Sequence, residues 1–117
     1  MRALRKLFDG WLAWAAAEDR IGGCPLLEAA IELDDQPGEL RNYLVAQQKA
    51  WLDCIAQITA NAVAEADLRR DLDVEQFAFQ LNSVGLGFNF SYRLLDDKHA
   101  ARRAQQAFRQ LLAEAAR

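Results

Sequence analysis

The sequence has 117 residues, 52% hydrophobic and 26% charged, with a formal net charge of −3. This length suits one domain with a single core, the composition excludes a disordered tail, and no apolar run approaches the ~20 residues that span a bilayer. Arginines and acids are interspersed throughout, so the chain lacks the basic face that neutralises phosphates in nucleic-acid binding.

Residues 1–20 combine positive charges with apolar residues and superficially resemble a signal peptide. Asp9 interrupts the run, Trp11 and Trp14 are bulky, and the periodicity is helical, so a cytoplasmic protein is expected rather than a secreted one. Leu4, Leu7, Phe8, Trp11 and Ala15 share one face of a helix over 3–17, with Trp14 beside them. Gly22-Gly23 stops it, because glycine enters the left-handed conformation favoured at helix ends. Pro25 suits the first turn of a short helix over 25–33, which carries Leu26, Leu27, Ala30 and Ile31. Asp34-Asp35 and Pro37-Gly38 end that helix.

A long helix over about 37–66 follows, with Leu40, Leu44, Gln47, Trp51, Ile55, Ile58 and Ala62 recurring at spacings of three and four. Cys54 lies beside Trp51 on this stripe, and residues 68–72 form a connector. Asp73 is an N-cap candidate, and Gln76 three residues later completes a start similar to a capping box.

The next helix is apolar on two sides. Stepping at ~100° per residue puts Phe77, Leu81, Val84, Phe88 and Leu95 on one side, and Phe79, Leu86, Phe90 and Leu94 on the other. Such a helix must be covered on both sides. Ser83, Gly85 and Gly87 are small enough to let another backbone come close. The pattern is read as placing one face on its own subunit and the other on a second copy, against the alternative of one crowded central helix inside a monomer. Asp96 or Asp97 is expected to cap a last helix over 98–115, whose apolar side is Ala101, Ala104, Phe108, Leu111 and Leu112. The expected architecture is all-α, five helices in one domain over 1–117.

Catalytic chemistry is hard to assemble. His99 stands among charges at a helix start, the only serines are Ser83 and Ser91, and the paired acids Asp34-Asp35 and Asp96-Asp97 are explained by capping. No Glu-x-x-His occurs for a di-iron bundle, and Gly85-x-Gly87 lies mid-helix, the wrong context for cradling phosphate. Cys24, Cys54 and His99 are too scattered for a zinc site, and two cysteines do not make a disulfide scaffold. Cys24 is read as a structural thiol rather than a redox sensor. Arg69-Arg70, Arg102, Arg103 and Arg109 are read as solvated or helix-end charges. No enzyme, metal or cofactor is expected. Trp11, Trp14, Trp51, Phe77, Phe88 and Tyr92 form an aromatic-rich interior, with Gln47, Cys54 and Asn89 as nearby polar groups. That set suits either a packed core or an apolar pocket with a few placed polar groups.

Three strings in order resemble the C-terminal regulatory domain of tetracycline-repressor-family (TetR-family) transcriptional regulators. They are Gly22-Gly23-Cys24-Pro25-Leu26, Asp34-Asp35-Gln36-Pro37-Gly38, and Leu68-Arg69-Arg70-Asp71-Leu72-Asp73 followed by Gln76-Phe77-Ala78. The resemblance runs from about Leu4 to Leu112. It implies a small hydrophobic effector near Trp11, Trp14, Gln47, Trp51, Cys54, Phe88 and Tyr92. It also implies a homodimer through the last two helices as an intersubunit four-helix bundle, engaging Phe79, Ser83, Leu86, Gly87, Phe90, Leu94 and Phe108. The sequence departs from the family in lacking the N-terminal helix-turn-helix domain, so no DNA contact is expected from this chain. Ala66-Asp67 stands where many relatives end the long helix with glycine. The alternative, a ligand-free module that dimerises with other regulators, predicts a tightly packed interior with no cavity around Trp51. An enzyme built on the bundle would need an interior titratable cluster, which the sequence does not offer.

Overall fold

The computed structural model describes residues 1–16 and 38–117. These form four α-helices: α1 Arg2–Ala15, α2 Glu39–Ala64, α3 Val74–Asn89 and α4 Ala100–Ala115. Helix α3 runs on into a π-helical turn, Phe90–Leu94. No strand occurs among the described residues, only an isolated bridge between Leu68 and Ala116. The expected helix over 25–33, the Gly22-Gly23 stop and Cys24 lie outside the described residues, so the five-helix count is not tested.

One core joins the helices. From α1, Leu4, Phe8, Leu12 and Ala15 are buried, while Leu7 and Trp11 are half-buried at its edge. The inward stripe is therefore rotated toward Leu12 from the expected face. Phe8 stacks on Phe108 of α4 with ring centroids 4.3 Å apart. Phe8, Leu4, Ile55, Leu68 and Leu81 are the largest wholly buried apolar side chains. Burial of each stabilises the fold by about 1.5–3 kcal/mol, which holds α1 against the rest of the bundle. In α2 the buried positions are Leu44, Ile55, Thr59 and Ala62. Thr59 escapes an apolar-stripe reading because it is polar, but its hydroxyl donates to the Ile55 carbonyl at 2.7 Å and so can be buried. Leu40 and Gln47, expected on the buried stripe, are exposed.

Helix α2 ends in a Schellman arrangement. The Asp67 N–H donates to the Ala62 carbonyl and the Ala66 N–H to the Val63 carbonyl, each at 3.0 Å. Ala66 takes a left-handed φ of 67°, so an alanine fills a position that suits glycine. The connector then closes on the end of α4: the Arg69 N–H donates to the Ala115 carbonyl and its guanidinium to the Glu114 carbonyl. Arg69 is thus the helix-end charge that the sequence suggests.

Asp73 caps α3 as expected, accepting the Gln76 N–H at 3.0 Å. Phe77, Ala78, Leu81, Gly85 and Phe88 face the core. Leu95, expected with them, is exposed. The π turn is the reason: its i→i+5 bond, Leu95 N–H to the Phe90 carbonyl, takes up an extra residue, so positions beyond it lag behind a regular helix. The turn aims Tyr92 and Arg93 at the end of α1, where they donate to the Ala16 and Ala15 carbonyls at 3.4 and 3.1 Å. Those carbonyls are among the acceptors that a helix end leaves without intrahelical partners.

The expected cap of α4 is corrected. His99 is the N-cap residue and makes no side-chain capping bond. Asp97 instead accepts the His99 N–H, and Arg103 lies 3.0 Å from its carboxylate. That backbone hydrogen bond is the chief reason its carboxyl stays below the usual range. Ala100 rather than Ala101 is buried, with Ala104, Phe108, Leu112 and Ala115.

Candidate functional site

Beside the core, α1, α2 and α3 enclose a half-open cavity of about 650 Å³. Each helix contributes one stripe. Leu7, Gly10, Trp11 and Trp14 come from α1, with Lys6 at the rim; Gln47, Gln48, Ala50, Trp51 and Cys54 come from α2; Asn82, Leu86 and Asn89 come from α3. Spacings of three and four put each set on one side of its helix. The space stays open because its walls carry small residues at Gly10 and Ala50, and a Cβ at Gly10 would meet nothing within 4 Å.

The aromatic wall is held in place from behind. Trp11 lies flush against α3 because position 85 is glycine: a Cβ there would fall 1.9 Å from the Trp11 ring. The small residue expected to make room for a partner backbone thus makes room for an indole of its own subunit. Trp51 meets Trp11 edge to face with centroids 4.9 Å apart, and its indole N–H donates to Asn82 Oδ1 at 3.0 Å. Trp51 is thereby tied to both neighbouring helices. Asn89 Oδ1 is buried without a hydrogen-bond partner among the described residues. All three tryptophans of the chain line this one cavity.

Five of the seven expected ligand residues, Trp11, Trp14, Gln47, Trp51 and Cys54, meet at the cavity. Phe88 and Tyr92 do not: Phe88 is a core residue, and the two rings stack on each other 5.4 Å apart. Their inward direction is not the cavity's direction. On α3 the cavity line, Asn82, Leu86 and Asn89, lies roughly 125° round the axis from the core line of Phe77, Leu81 and Phe88. Sequence reading misses Lys6, Gly10, Gln48, Ala50 and Asn82. The signal available is helical spacing: Gly10, Gln48 and Ala50 lie one, three or four residues from Trp11, Trp14 or Trp51, Lys6 lies four before Gly10, and Asn82 lies seven before Asn89.

Among the described residues the lining holds one cation, no acid and one exposed thiol, Cys54. Among the described residues no three His, Cys, Asp or Glu side chains gather as a metal site, and His99 is exposed at the start of α4.

The outer side of α3 is the second feature. Phe79, Phe90 and Leu94 are 65%, 53% and 70% exposed, with Ser83, Leu86 and Gly87 between them. The Ser83 hydroxyl is satisfied by the Phe79 carbonyl at 2.8 Å, so the strip presents little polar demand. Phe108, expected on this surface, is instead buried in the core and stacked on Phe8. Leu86 belongs both to this strip and to the cavity wall. No helix among the described residues is long and apolar enough to cross a membrane.

Comparison with known proteins points one way. The family model for the tetracyclin repressor-like C-terminal domain matches residues 1–108. The crystal structure of a TetR-family transcriptional regulator from Cytophaga hutchinsonii superposes with a TM-score of 0.83 at 21% identity, covering 97% of this chain and 58% of that one. At that identity the likeness establishes the fold, and the chain spans little more than half of that regulator's length. No curated protein matches the sequence significantly.

Proposed function

Because the chain belongs to the tetracyclin repressor-like C-terminal domain family, we propose that it is the effector-binding and dimerisation domain of a transcriptional regulator, taking a small, largely apolar molecule and performing no catalysis. The observation that carries this reading is the 650 Å³ cavity walled by Trp11, Trp14 and Trp51. Its volume falls within the ~300–1,000 Å³ of small-molecule sites, and its lining of indoles with a few carboxamides has their usual chemistry. A ligand-free interaction module would have a filled interior at Trp51, and the cavity there counts against it. In this reading the exposed Phe79, Phe90 and Leu94 strip packs on the same strip of a second copy, with α4 completing an intersubunit four-helix bundle. Exposed apolar strips of this kind mark interaction surfaces. Leu86, shared by cavity and strip, is where occupancy would be felt at the interface. DNA contact belongs to a helix-turn-helix domain, not to this acidic one.

Two substitutions separate the roles. Phe90→Asp places a charge in the proposed interface, where burial without a partner costs several kcal/mol. It is expected to yield monomers in analytical ultracentrifugation that still bind the neutral fluorophore phenylnaphthylamine. Trp51→Ala is expected to stay dimeric and bind that fluorophore at least ~10-fold more weakly, a loss within the range for truncating a buried aromatic anchor. The opposite ranking would refute the assignment of the two faces.

A further inference from the structure

The polar groups at the cavity are unevenly matched, and the imbalance bears on its ligand. Among the described residues Lys6 is the one charged side chain of the lining; it sits at the rim and makes no ion pair there. The Trp11 indole N–H likewise has no acceptor there, whereas that of Trp51 is spent on Asn82. Both are donors; the unspent acceptor of the described lining is Asn89 Oδ1, a neutral amide oxygen, so the one charge on offer is positive. Around Lys6 the charges of α1 are Arg2, Arg5 and Asp9, so cations outnumber acids at this end. Asp53, next to Cys54 on α2, is the acid closest in sequence to the opposite wall, yet neither it nor Asp9 lines the cavity. Indole faces also attract cations, but a second positive charge here would meet an ammonium.

Resting on the effector-cavity reading above, we propose that the ligand is an amphipathic anion: an apolar, ring-sized or chain-like body among Trp11, Trp14, Trp51 and Leu86, carrying one acidic group that Lys6 pairs with at the rim. The apolar body supplies most of the affinity, since the walls of such sites are predominantly apolar. The partly exposed ion pair adds orientation and discrimination. A neutral molecule of the same body binds more weakly, and a cationic one is repelled.

A matched pair of fluorophores tests this. Anilinonaphthalene sulfonate and phenylnaphthylamine share an aromatic body and differ by one sulfonate. The wild-type protein is expected to bind the sulfonate more tightly, with an advantage that shrinks as salt is raised. Lys6→Gln is expected to weaken sulfonate binding about fivefold, the upper end of one exposed ion pair, and to leave phenylnaphthylamine unchanged. Arg5→Gln removes an exposed cation one residue away that does not line the cavity, and should leave both affinities unchanged. Equal losses of sulfonate binding in the two variants, or none in Lys6→Gln, would overturn the proposal while sparing the cavity, provided phenylnaphthylamine still binds. Failure of both fluorophores to bind would overturn the cavity reading itself.

Discussion

Gly85→Ala tests the wedge that shapes the cavity wall. In the interior of a helix this change ordinarily stabilises by about 1 kcal/mol, because alanine has the higher helix propensity. Here the added Cβ would lie 1.9, 2.2 and 2.4 Å from three atoms of the Trp11 ring. Ordinary contact begins near 3.4 Å, so the ring must retreat by 1.5 Å (3.4 − 1.9). Trp51 stands on one side of Trp11 and the cavity on another, so the retreat is into the cavity. Overpacking of this kind costs about 1–3 kcal/mol. After the propensity gain, the net change is expected to be a loss of up to about 2 kcal/mol, or roughly 5–10 °C in Tm for a domain of this size. Thermal and urea unfolding followed by circular dichroism would measure it, with phenylnaphthylamine binding falling in parallel. The control is a double-mutant cycle. In a Trp11→Ala background the three atoms nearest the new methyl group are gone, so the cost of Gly85→Ala should fall sharply. If Gly85→Ala stabilises the otherwise unaltered protein, or costs the same in both backgrounds, the close approach of Trp11 to α3 is refuted.

Two further substitutions should raise stability for different reasons. Ala66→Gly relieves a left-handed alanine at the end of α2 and should stabilise by about 1 kcal/mol in urea unfolding, since L-residues lose 1–2 kcal/mol there; an unchanged midpoint would contradict the Schellman geometry. Gly10→Leu meets open space at its Cβ and should gain about 1 kcal/mol of helix propensity while filling the cavity. Higher Tm with lost phenylnaphthylamine binding is the expected signature, and retained binding would place the fluorophore elsewhere.

Much of this molecule is legible in its residues because helix periodicity is a local property. The cap at Asp73, the stripe of α4 through Ala104, Phe108 and Leu112, and the two-sided character of α3 follow from spacing and side-chain chemistry. Trp11, Trp14 and Trp51 are legible as effector residues only through the family resemblance, since their spacing suits a packed core as well as a pocket; all three line the cavity. What escapes depends on tertiary geometry. The π turn depends on a bond five residues apart and has no compositional mark, so periodicity misplaces Leu95, and the family resemblance does not reveal that Tyr92 turns to the end of α1. Phe108 and Phe88 are alike in pattern to residues of the outer strip and the cavity wall; only packing against Phe8 and Tyr92 shows that they belong to the core. Gly85 reads as small for the sake of a partner helix, because sequence cannot say which neighbour needs the space.

The most direct test of the account is native mass spectrometry of the unaltered protein and of Gly10→Leu, each incubated with anilinonaphthalene sulfonate. The account predicts a dimer carrying one fluorophore per subunit for the former and a bare dimer for the latter. A monomer in either case, or equal loading of the two proteins, would contradict it.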